Sequence, residues 1–168
     1  SLLRSLLRWP SLEYVVNHYS WSWPVAEFLH FVGLCLLIGI VGMFDLRLLG
    51  MAKDLPIAPL RRLLPWGVVG FALCVISGSL FVGGLGGNLI GADPYATLLH
   101  DEYLQLKLLF IGLAGVNLLL FYLTGMSRAV DMMGPGDDAP ATAKVLAGTS
   151  LSLWIAIILW GRLIAWGL

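Results

Sequence analysis

Long apolar runs separated by short polar links make up this chain. Four runs, about 25–46, 63–83, 103–124 and 145–167, each reach the roughly 20 residues that carry a helix across a bilayer. Ahead of them, residues 1–23 are too interrupted to span. Leu2, Leu3, Leu6 and Leu7 recur at helical spacing beside Arg4 and Arg8, the pattern of an amphipathic helix lying in the membrane interface. Trp9, Tyr14, Tyr19, Trp21 and Trp23 follow as an aromatic belt. The expected architecture is all-α: a polytopic four-helix membrane bundle, in a single domain, preceded by an interfacial helix.

Taken in order, the first run starts near Pro24, tolerated in a first turn because it has no amide donor to lose. Its interior holds Gly33, Gly39 and Gly42, and the second run holds Gly67, Gly70, Ser77 and Gly78; such residues let neighbouring helices approach closely. Gly83 to Gly87 reads as a flexible exit and not a phosphate cradle, since no strand precedes it and no GK[ST] follows. Asp93-Pro94 is a helix start from which one helix is expected to continue into the third run. Residues 127–144 read as an ordinary exposed link.

Composition sharpens the membrane assignment. Of 168 residues, 59% are hydrophobic and only 12% charged, against roughly 25% charged in a soluble domain. Net charge is zero and no basic stripe exists, so nucleic acid is not an expected partner; the lipid bilayer is. Cys35 and Cys74 fall inside apolar runs and read as buried free thiols. No cleavable signal peptide is visible, since the first apolar stretch is short and stopped by Pro10. The links that join runs one to two and three to four carry Arg47, Lys53, Arg61, Arg62, Arg128 and Lys144, while the other side has Arg4, Arg8, Lys107 and Arg162. That excess marks the link side as cytoplasmic and both termini as periplasmic, for a bacterial inner-membrane protein.

Candidate chemistry comes from charged residues inside the runs. Glu27 and His30 lie three apart, hence on neighbouring positions of one helix face. Lys107 and Arg162 fall at a similar depth from the non-cytoplasmic side, so the four are expected in one outward-opening cluster turned to the bundle axis. Bland readings stand beside this: snorkelling for Lys107 and Arg162, a first-turn carboxylate for Glu27, an interhelical hydrogen bond for His30. Asp45, Arg47, Arg61 and Arg62 read as a structural network at the cytoplasmic side. Three functions compete. His30 is a candidate ligand of a b-type haem iron, with His100 the best second ligand and Lys107 or Arg162 for the propionates. Alternatively, Glu27 and His30 hold a quinone headgroup and exchange protons with it. The third reading is a non-catalytic accessory subunit of a larger complex. Electron transfer implies other membrane or periplasmic redox subunits as partners. Copper transport and hydrolytic catalysis find no suitable constellation.

Glu27-Phe-Leu-His30, Asp45-Leu-Arg47-Leu-Leu-Gly50, Leu64-Pro65-Trp66 with Gly70-Phe71, Ser77-Gly78, Lys107 and Arg162-Leu-Ile-Ala165 also form a recognisable series. In that order they resemble an uncharacterised family of small bacterial four-helix membrane proteins. More distantly the series is similar to copper-resistance D-type and cytochrome-b-like bundles. That second resemblance implies outward-side histidines that bind haem or metal.

Overall fold

The computed structural model describes residues 2–7, 9–84, 94–164 and 166. Among these the regular structure is entirely helical: α1 (Leu2–Leu7), α2 (Pro10–His18), α3 (Ser22–Leu48), α4 (Ile57–Gly84), α5 (Pro94–His100), α6 (Glu102–Leu123), α7 (Met126–Asp131) and α8 (Ala141–Ile164). Helices α3, α4, α6 and α8 are long and apolar enough to cross a membrane. At most 22% of the apolar window of any of them is buried within the protein, so their outward surface suits acyl chains.

The leading segment is two short helices and not one. Pro10 supplies no amide to continue α1 and instead opens α2 at its first position. The side chains that would define an amphipathic α1, Arg4 and Arg8 among them, lie outside the description, as do Leu85 to Asp93 and Ala165. Helix α2 lies against the end of α4, where a Cβ on Gly83 would stand 2.9 Å from Leu12. The third run starts afresh: α5 stops at His100, and Asp101 caps α6 by accepting from the Leu104 amide at 2.9 Å. The expected continuous helix is therefore broken one residue after His100. A good capping side chain there ends one helix and begins the next.

Helices α3 and α4 make the closest pair, and the reason is two glycines. A Cβ on Gly33 would sit 2.7 Å from the Gly70 carbonyl oxygen, and one on Gly70 would sit 2.7 Å from that of Gly33. The backbones touch, which only hydrogen side chains permit. At its far end α3 closes in a left-handed Gly50 (φ 98°), with Met51 N–H donating to Leu46 O at 3.0 Å and Gly50 N–H to Arg47 O at 3.2 Å. Helix α4 runs through Pro65 in its interior, six residues earlier in start than its apolar run. Helix α8 packs against both α3 and α6, whereas α4 and α6 are not brought into close contact.

The link between α6 and α8 departs from expectation. It is not simply exposed: Ser127, Val130 and Ala139 are buried, because α7 folds back under the helix ends. There Phe44, Leu48, Ile57, Phe121, Val130 and Ala143 form the one continuous core cluster among the described residues. Both cysteines are free, but Cys35 is exposed on the outer surface and only Cys74 is half-buried.

Candidate functional site

Among the predicted site residues, His30 is drawn into the seam between α3 and α4. Its Nδ1 lies 2.8 Å from Ser77 Oγ across the α3–α4 seam. Ser77 Oγ in turn donates to Leu73 O at 2.6 Å. A hydroxyl has a single proton, so with that proton spent on Leu73 the oxygen accepts from His30 Nδ1–H. In the neutral ring with that donor, the lone pair lies on Nε2. Phe81 meets the imidazole edge to face at 5.6 Å, and Cys74 Sγ donates weakly to the His30 carbonyl at 3.7 Å.

Lys107 shares this layer. It is half-buried, close enough for its ammonium to act on the His30 ring, and its Nζ would stand 3.1 Å from a Cβ on Gly161. The missing side chain of Gly161 is thus what admits the ammonium between α6 and α8.

The other predicted members are placed elsewhere. Glu27 is exposed and accepts from Trp23 Nε1 at 3.1 Å, one turn earlier on its own helix. It does not turn with His30 toward the axis: the seam with α4 takes the histidine, and the tryptophan takes the carboxylate. Arg162 is exposed, with its guanidinium 5.6 Å from the Trp166 ring centre. His100 is exposed at the end of α5, and His18 stacks on Tyr14 at 4.9 Å. The three histidines therefore have separate surroundings. Ser77 and Cys74 belong to the His30 layer, and only the small-residue pattern of α4 pointed toward either.

The cavity lies in the opposite half of the bundle. A partly open cavity of some 350 Å³ lies between α3, α4, α6 and α8, toward the link end. Its walls are mostly apolar, with Phe44, Phe71, Tyr122 and Trp154 among them, and its polar groups include Asp45, Asn117 and Ser150. Asn117 Nδ2 donates to Leu146 O at 3.0 Å, tying α6 to α8. Asp45 is 5% exposed. The Ser150 side chain hydrogen-bonds its carboxyl group, yet Oδ2 is buried with no partner.

The ionic residues below it do not form the single network that their spacing suggested. Arg47, 1% exposed, donates from Nε to Leu55 O at 2.7 Å, from Nη1 to Asp137 O at 3.2 Å and from Nη2 to Gly134 O at 3.3 Å. It holds both links to the end of α3. Arg61 pairs with Asp131 at 3.0 Å and donates to Ser127. Lys53 and Lys144 share Asp138 at 3.1 and 2.7 Å. None of these cations faces Asp45 in an ion pair. No family model, curated protein or solved structure matches this chain.

Proposed function

We propose that the chain is an integral membrane redox protein that holds a quinol-type headgroup at His30 and takes part in electron transfer at the periplasmic side of a bacterial inner membrane. The observation that supports this reading is the contact of His30 Nδ1 with Ser77 Oγ, whose own proton is directed to Leu73 O. An imidazole whose Nδ1–H is spent offers Nε2 as a proton acceptor, which is what a quinol hydroxyl needs as its electrons leave for a partner redox subunit. Lys107 supplies a positive charge in the same layer for the oxygen that is left. A b-type haem uses the same nitrogen, and a hydrogen bond from Nδ1–H is how ligating histidines are oriented. The separate surroundings of His18, His30 and His100 disfavour a haem held by two histidines, whereas a quinol or a five-coordinate haem requires a single imidazole.

The protein purified in mild detergent is expected to release quinone on solvent extraction, near one per chain, without a Soret band. His30→Ala is expected to lose most of it while keeping its helical circular dichroism. A Soret band lost in the same variant would replace quinone by haem. A colourless protein without quinone would leave the non-catalytic accessory subunit.

A further inference from the structure

The buried carboxylate in the link-side cavity has no part in the His30 reading. Asp45 stands in a wall of the 350 Å³ void, 5% exposed, with Oδ2 lacking any hydrogen-bond partner. Taking a carboxylate out of water without a partner is costly, and charged groups inside spans face cavities and mark ligand or ion paths. The basic side chains nearest in sequence and at the same end are engaged elsewhere: Arg47 with three carbonyls, Arg61 with Asp131, Lys53 and Lys144 with Asp138. The charge that would complete the site is therefore not supplied by them. Aromatic rings line the same void, Phe44, Phe71, Tyr122 and Trp154, and ring faces attract cations. Its volume falls within the range of small-molecule pockets.

We propose that this cavity is a binding site for a lipophilic organic cation, its charge against Asp45 and its apolar body among the aromatic walls. Close packing runs from α4 to α3, from α3 to α8 and from α8 to α6, and the side between α4 and α6 is where a molecule dissolved in the bilayer reaches the cavity. A neutral donor would satisfy the oxygen without balancing a buried negative charge, and an anion would be repelled. Charge complementarity thus selects the occupant.

The test uses the whole protein in detergent and two probe ions of matched size and shape, tetraphenylphosphonium and tetraphenylborate. Retention is measured by equilibrium dialysis against protein-free micelles. The unmodified protein is expected to retain the cation and not the anion. Asp45→Asn, which keeps the side-chain shape, is expected to weaken cation retention by about tenfold or more, as loss of a desolvated charge contact does. Equal retention of both ions by the unmodified protein would overturn the proposal and needs no variant to fold. So would cation binding unchanged in Asp45→Asn, or no cation binding at all. Quinone content serves as the separate control: its loss in His30→Ala with cation binding intact keeps the two sites distinct.

Discussion

A hydrogen bond counts for most where a group has no water to fall back on, and two side chains of this protein show it in opposite ways. His30 obtains its partner from Ser77, whose own proton is committed to Leu73, so a chain of two bonds decides where the imidazole lone pair lies. Arg47 is the reverse case: a charged side chain, 1% exposed, neutralises no carboxylate and instead gathers three backbone carbonyls from two links. Removing it leaves those carbonyls unsatisfied. Arg47→Met is expected to destabilise the protein by several kcal/mol, since it removes three bonds and charge-assisted bonds each contribute roughly 1.5–3 kcal/mol. Thermal unfolding in detergent would register this as a lower midpoint, while quinone content per folded molecule stays unchanged. A wild-type midpoint would show the links hold without it.

Among the helices, the α3–α4 contact depends most directly on residue size. With Gly33 and Gly70 backbone to backbone, a single methyl group has nowhere to go: at Gly70 it would meet the Leu37 amide nitrogen at 2.8 Å as well as the Gly33 oxygen. Gly70→Ala is expected to cost about 1–3 kcal/mol by overpacking, and to shift His30 away from Ser77, which lies two turns along the same seam. Gly39→Ala, where no atom stands within 4 Å of the added carbon, is the matched control and is expected to be neutral or slightly stabilising. Unfolding midpoints of the two variants measure the difference; equal midpoints would mean that α4 slides to accommodate the methyl.

The whole molecule is closed at one end by its links and open to lipid along its sides. Gly136 N–H donates to Lys53 O at 2.9 Å, and Asp138 is held between Lys53 and Lys144, so the link after α3 is joined to the start of α8. The two ammonium groups hold the Asp138 carboxyl below its ordinary range, chiefly through the hydrogen bond from Lys144 and then that from Lys53. A carboxyl depressed in the folded state favours folding above its unfolded pKa, near 4, and loses that contribution as pH falls through the lower folded value. The link end is therefore expected to loosen only below about pH 4. Hydrogen exchange of residues 134–140 between pH 6 and pH 3, corrected for intrinsic rate, would follow it. Protection in Asp138→Asn at pH 6 should fall below that of the unmodified chain at the same pH; a variant protected like the unmodified chain at pH 6 would contradict the assignment.

Hydrophobicity acts locally, so the sequence by itself determined that four helices are long and apolar enough to span, and roughly where each lies. The glycine pattern also showed that the first two spans admit a closely approaching neighbour, because the size of a side chain is visible without coordinates, but that they approach each other is read from the structure. Depth along a helix was legible too, which placed His30 and Lys107 in one layer. Facing was not. Spacing of three put Glu27 beside His30, but which of them meets the seam depends on where α4 crosses, and only the tertiary structure decided that. The same holds for Asp45: along the chain it reads as a helix-end charge beside Arg47. Only packing of α8 against α3, and of α6 against α8, places it with Ser150 in the wall of a cavity, since a void is a property of several helices at once and of no stretch of sequence.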